Sequence, residues 1–129
     1  MNKLKICVYA ISKNEEKFVE RWYQSMSEAD EIYVLDTGST DKTVKKLKKR
    51  GINVSIKKIE PWRFDVARNE SLKLVPEDTD ICVCTDLDEV FDKSWRKRLE
   101  EIWEEDVTRI AYIIIGVLIN ITNQQLIFI

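Results

Sequence analysis

Apolar and polar positions change period along this chain in a regular order. Leu4 to Ala10 alternates and is rich in β-formers, which predicts a strand. Ser12-Lys13-Asn14-Glu15 follows with a capping-box pattern, the signature of a helix start. Phe18, Val19, Trp22, Tyr23 and Met26 then recur on one helical face. Glu31 to Leu35 predicts a second strand, and Asp36-Thr37-Gly38-Ser39-Thr40-Asp41 a tight polar turn that also caps the next helix. That helix turns Val44 and Leu47 inward and Lys42, Lys45, Lys46, Lys49 and Arg50 outward, and Gly51 ends it. Ile52 to Ile56 predicts a third strand, Pro61-Trp62-Arg63 a loop, and Phe64 to Val75 a helix closed by Pro76. The short apolar run Ile81 to Thr85 predicts a buried fourth strand that ends in Asp86, Asp88 and Glu89. Asp92 is placed to cap a helix striped by Trp95, Leu99, Ile102 and Trp103, and Arg109 to Ile119 predicts a last apolar strand.

This alternation of strand and helix predicts an α/β fold, a mainly parallel sheet with helices on both faces. The turns at Ser12–Glu15, 36–41 and 86–89 all follow strands, so the topology gathers them on one edge of the sheet. There, helix N-termini and hydroxyls can meet phosphate or ribose, and carboxylates can serve a metal or act as bases. Asp86 and Asp88, one residue apart past a strand end, are a candidate clamp for Mg²⁺ or Mn²⁺, hard ions that take carboxylates together with phosphate oxygens.

Composition narrows the chemistry. The 129 residues make one domain or part of one, and a net charge of −2 gives no field favouring nucleic acid. The chain has no histidine, which excludes a Ser-His-Asp triad and any histidine-ligated metal within it. Cys7, Cys82 and Cys84 read as small buried core residues of a protein in a reducing cytoplasm. The first residues lack the form of a signal peptide, and the C-terminal apolar run is short of the ~20 residues a membrane span needs. The Lys42–Arg50 cluster reads as a solvated helix face, with peripheral attraction to an anionic inner membrane face as the alternative. Trp62 is expected to pack rather than to stack on a base or sugar.

In order along the chain, I-S-K-N-E-E, V-L-D-T-G-S-T-D-K-T, A-R-N-E-S-L and C-T-D-L-D-E-V-F resemble a family 2 glycosyltransferase of GT-A fold, in the bacterial branch that carries K-N-E-E and D-T-G-S-T-D. The resemblance covers roughly residues 4 to 110. It implies transfer of a sugar from a nucleotide diphosphate donor, with a UDP-sugar as the first expectation, to a glycan, lipid-linked or peptide acceptor. By resemblance the main chain around Ile11, Ser12 and Lys13 borders the nucleotide, and Asn14 and Glu15 shape that turn. Asp36 and Thr37 sit near base or ribose; many relatives have a second Asp where Thr37 stands. Arg63 falls where relatives place a base- or phosphate-contacting arginine. Arg68 and Asn69 support the acidic loop, where Arg68 either pairs with Asp65 or Asp86 or touches substrate. Asp88 is the expected metal ligand, with Asp86 on ribose or a metal-bound water.

Family members of this type invert the anomeric centre and need a carboxylate base from the acceptor half. That base is expected beyond Ile129; Glu89 lies too close to the clamp to serve. Residues 1–105 are therefore expected to form the nucleotide-sugar and metal-binding part of an incomplete domain. Residues 106–129 are expected to form a last strand and an atypical apolar tail, the mark of a truncated or frameshifted end. Two alternatives are a non-catalytic nucleotide- or metal-binding remnant and, more weakly, a D-x-D phosphatase of the haloacid dehalogenase kind with Asp86 as nucleophile.

Overall fold

The computed structural model describes residues 4–102, 109–113, 117–122 and 125–128. They fall into two compact units, Met1–Val90 and Phe91–Ile129.

The first unit is an α/β layer built on four parallel strands: β1 (Ile6–Ser12), β2 (Glu31–Asp36), β3 (Asn53–Ile56) and β4 (Ile81–Cys84). Their order is β3-β2-β1-β4. β1 is buried along almost its whole length, with Ile6, Cys7, Val8 and Ala10 inaccessible to solvent, as a strand covered on both faces must be. The connecting helices are α1 (Val19–Met26), α2 (Thr43–Lys49) and α3 (Phe64–Leu72). α1 buries Val19, Trp22 and Met26, one stripe of the predicted face, and α2 buries Thr43 and Leu47. Complete burial of a side chain such as Trp22 or Leu47 contributes about 2–3 kcal/mol. Gly51 lies just past α2 with φ of 76°, the left-handed conformation that ends a helix at little cost to glycine.

The chain runs outward from β1 to β2 and β3, then returns to place β4 on the other side of β1. Strand order therefore reverses between β1 and β4, and the crevice outside the carboxyl ends of these strands is where such sheets bind ligands.

Three local expectations are corrected. The Ser12–Glu15 pattern does not cap a helix. β1 continues as paired strand to Ser12, and a 3₁₀ turn at Glu16–Phe18 leads into α1 without a side-chain cap. The Ser12 hydroxyl is taken instead by Asp36. Second, the helix expected over Phe64–Val75 ends at Leu72, with Lys73 as its C-cap. Third, Cys82 is exposed, because β4 is an edge strand of this sheet, while Cys7 is buried and Cys84 half-buried.

The second unit contains α4 (Trp95–Ile102) and an antiparallel sheet of β5 (Arg109–Ile113), β6 (Val117–Thr122) and β7 (Gln125–Phe128). Trp95 and Leu99 are buried, and Trp95 meets Phe91 edge-to-face at 5.3 Å. Trp103 of the predicted stripe lies outside the described residues. The apolar C-terminal stretch, expected as one strand over Arg109–Ile119 and a tail, forms three short strands. An apolar run does not reveal where it folds back, because every position in it suits a strand equally well.

Candidate functional site

The first two exit turns are tied together by side chains. Asn14, at φ of 52°, sits in the left-handed region that asparagine tolerates better than most residues. Its Oδ1 accepts from the Thr40 backbone N–H at 2.7 Å, and its own N–H donates to Ser39 Oγ at 2.8 Å. The Glu15 N–H donates to Thr43 Oγ1 at 2.9 Å. Asp41 works from the second turn: Oδ1 accepts from the Thr43 N–H at 2.9 Å just ahead of α2, but the N-cap of that helix is Lys42 and, contrary to expectation, no side chain caps it.

Asp36 is the buried node of this edge. Oδ1 accepts from the N–H groups of Gly38 and Ser39, and Oδ2 from the hydroxyls of Ser12 and Ser39, at distances from 2.6 to 3.0 Å. Four donors fill the lone-pair sites of an ionised carboxylate. The carboxylate thus shapes the turn from beneath. Thr37 is also buried, and both its N–H and its hydroxyl donate to the Ser12 carbonyl.

Above this floor lies a cleft of about 790 Å³. One wall is Ile11, Ser12, Lys13, Glu15 and Thr37, which joins four of the expected nucleotide-binding residues. The other wall is the 58–64 segment, including Trp62 and Phe64, which are 54% and 55% exposed. Trp62 is thus not packed in the core as expected; its ring faces solvent at the cleft. Neither the segment nor its cis Glu60–Pro61 bond carries a periodic signal in the sequence. Arg63 is not among the residues lining the cleft. Its guanidinium is held by Asp65 at 2.8 Å, on the exposed surface.

The third exit turn carries the carboxylates. Ligand oxygens of Asp86, Asp88 and Glu89 lie within 4.8 Å of one another, the one such cluster among the described residues. The turn is closed by the Asp86 N–H donating to Glu89 Oε1 at 2.7 Å and the Glu89 N–H donating to the Asp86 carbonyl at 3.0 Å. Arg68 Nη2 donates to Asp86 Oδ1 at 2.8 Å, which decides between its expected partners, since Asp65 is taken by Arg63. Arg21 reaches the Asp88 carbonyl at 3.3 Å. Hard carboxylate oxygens at this spacing suit Mn²⁺ or Mg²⁺.

Glu15 links the cleft to this cluster. Burial first, and then the charges of Asp88, Asp86 and Asp36, push its carboxyl up to about 7. A pKa raised by burial and neighbouring like charges is a feature of ligand sites.

The glycosyl transferase family 2 model matches residues 7–124, which takes in the β1 turn, the cleft and the acidic cluster. The chain belongs to this family. A curated relative, an uncharacterized glycosyltransferase of Rickettsia bellii (strain RML369-C), is 33% identical over 100 residues, 77% of this chain and 33% of the relative. Among solved structures, a mannosyltransferase of Pyrobaculum calidifontis in complex with GDP-Man and Mn²⁺ superposes with a TM-score of 0.67 at 19% identity, over 83% of this chain and 34% of that one. Glucosyl-3-phosphoglycerate synthase of Mycobacterium tuberculosis, in complex with UDP, gives 0.66 at 26% identity over 81% and 42%. The same synthase, with Mn²⁺, UDP and glucosyl-3-phosphoglycerate, gives 0.56 at 27% identity over 67% and 36%. The fold is thus of the GT-A kind. The chain spans about a third of the length of the curated relative it matches. Family membership leaves no place for the phosphatase alternative. No helix among the described residues is long and apolar enough to cross a membrane.

Proposed function

We propose that this chain is the donor-binding part of a metal-dependent, inverting glycosyltransferase, which moves a sugar from a nucleotide diphosphate, with a UDP-sugar expected, to a glycan, lipid-linked or peptide acceptor. The observation that carries the reading is the position of the Asp86–Asp88–Glu89 cluster at the switch point of the sheet, joined through Glu15 to a cleft of nucleotide size. The Mycobacterium tuberculosis synthase solved with Mn²⁺ and UDP supports the same pairing of metal and nucleotide.

Asp88 and Asp86 would hold Mn²⁺ or Mg²⁺, and the bound cation would offset the negative charge that develops on the departing diphosphate. The chain's own residues have separate tasks. The main chain of Ile11–Lys13 and the buried Thr37 line the nucleoside space, and Trp62 offers a face on which a base or sugar can stack. Asp36 and Asn14 keep the two exit turns in register. Arg68 fixes Asp86. Transfer also needs a general base and an acceptor pocket, and none of the residues named above is assigned to either. The unpaired cysteines support a cytoplasmic location, and the basic face of α2 suits peripheral contact with an anionic inner membrane face.

Calorimetric titration with UDP and with GDP, each with and without Mn²⁺, on the wild type and Asp88→Ala, tests the reading. Binding that requires Mn²⁺ and disappears in Asp88→Ala is expected. A folded wild-type chain that binds neither nucleotide would refute it.

A further inference from the structure

Phe64, Arg68 and Asp86 form a connected series from the cleft wall to the acidic cluster. Phe64 and Arg68 lie four residues apart in α3, so they share a helix face. The Arg68 guanidinium carbon stands 4.9 Å from the centroid of the Phe64 ring, in cation–π contact. The Arg68 side chain is only 18% exposed. Its Nη2 donates to Asp86 Oδ1, while its Nη1 is buried without a hydrogen-bond partner among the described residues. A guanidinium largely withdrawn from water, with one amino group unsatisfied, depends on the contacts against its flat faces to stay in place. The ring supplies such a contact, and it is itself 55% exposed at the cleft.

We propose that Phe64 is a positioning residue for the acidic cluster: its ring holds the Arg68 guanidinium where that group orients Asp86, and so sets the affinity of the cluster for a divalent cation. The inference rests on the reading that Asp86 and Asp88 hold such a cation. With the ring removed, water reaches the guanidinium and the side chain gains rotamers. Asp86 then loses its fixed donor, and repulsion from Asp88 and Glu89, whose ligand oxygens lie within 4.8 Å, is free to turn it away.

The test is titration of the full chain with Mn²⁺ alone, followed by the paramagnetic signal of the free ion, on wild type, Phe64→Leu, Phe64→Tyr, Arg68→Lys and Asp88→Ala. Phe64→Leu keeps an apolar side chain without a ring face; Phe64→Tyr keeps the face. Expected is a loss of Mn²⁺ affinity of about three- to tenfold in Phe64→Leu, the size of one cation–π contact, with Phe64→Tyr within about twofold of wild type. Arg68→Lys, which keeps the charge but not the planar fork, should weaken binding as well. Equal Mn²⁺ affinity in wild type and Phe64→Leu overturns this inference alone, as does a Phe64→Tyr as weak as Phe64→Leu. Should Phe64→Leu fail to fold, an Arg68→Lys chain with wild-type affinity overturns it instead. A wild type that takes up no Mn²⁺, or takes it up unchanged in Asp88→Ala, overturns the cation reading and this inference with it.

Discussion

Ser12 and Asp36 occupy the same register position on neighbouring parallel strands, and the Ser12 hydroxyl donates to the Asp36 carboxylate across 2.8 Å. Three further donors converge on that carboxylate, which is 1% exposed. Its stability role follows. Asparagine at position 36 keeps one carbonyl oxygen and replaces the other with an amide NH2, which can accept neither from the two backbone N–H groups nor from the two hydroxyls. Asp36→Asn should lower the unfolding free energy by about 2–4 kcal/mol, the cost of leaving buried donors without acceptors. Urea denaturation reads this directly, and a variant within about 0.5 kcal/mol of wild type would show that the node does not hold the edge together.

Asn14 combines two contributions that substitutions can separate. Its side chain caps the Thr40 N–H, and its backbone occupies the left-handed region. Asn14→Ala loses both and should cost about 2–3 kcal/mol. Asn14→Gly loses only the acceptor and should recover about 1 kcal/mol of that. Equal denaturation midpoints for the two variants would mean that backbone conformation contributes nothing at this turn.

Glu15 makes the fold sensitive to pH in a direction opposite to most paired carboxylates. Its carboxyl titrates near 7 in the folded chain, against an ordinary value of 4.5. Between those values the folded chain holds more protons than the unfolded one, so stability falls as pH rises through the window. The penalty is absent below about pH 4.5 and complete above about pH 7. Because Glu15 is only half-buried, solvent screening reduces its size to on the order of 1 kcal/mol. Glu15→Gln should flatten the slope between these pH values, as seen by comparing denaturation curves of the two proteins. A difference curve independent of pH would contradict the raised titration.

The strands and their exit turns were legible because each is a local matter. Val34 and Leu35 run apolar into Asp36, and Ile81 runs into Asp86, so both the element and its polar end stand in neighbouring residues. The acidic cluster could be read for the same reason. The 58–64 wall could not, since an irregular loop carries no period and its relation to Glu15 exists only after β1 and β3 are in place. Ser12 shows a second kind of difficulty. The Ser-x-x-Glu spacing satisfies a helix cap, and only pairing with β2 and the presence of Asp36 reveal that its hydroxyl is engaged elsewhere. The C-terminal strands were hidden by uniformity: Arg109–Ile113 and Val117–Thr122 face each other in antiparallel register, yet their sequence reads as one run.

Trp62 lines the cleft while its neighbour Arg63 pairs with Asp65, and a pair of substitutions distinguishes which of them serves the nucleotide. Both are more than half exposed, so truncation of either should leave the denaturation midpoint nearly unchanged, within about 0.5 kcal/mol. Nucleotide binding should separate them. Trp62 lines the cleft, and loss of a stacking face is worth about 1–3 kcal/mol per base, so Trp62→Ala should weaken UDP binding in the presence of Mn²⁺ by about tenfold. Arg63 spends its guanidinium on Asp65 through two hydrogen bonds, at 3.2 and 2.8 Å, an exposed ion pair of little energetic weight. Arg63→Ala should therefore change UDP affinity by less than about twofold, since a change of that size is well under 1 kcal/mol. If Arg63→Ala proved the weaker binder, the guanidinium must leave Asp65 for the ligand, and the assignment by resemblance would stand over the geometry of the unliganded cleft.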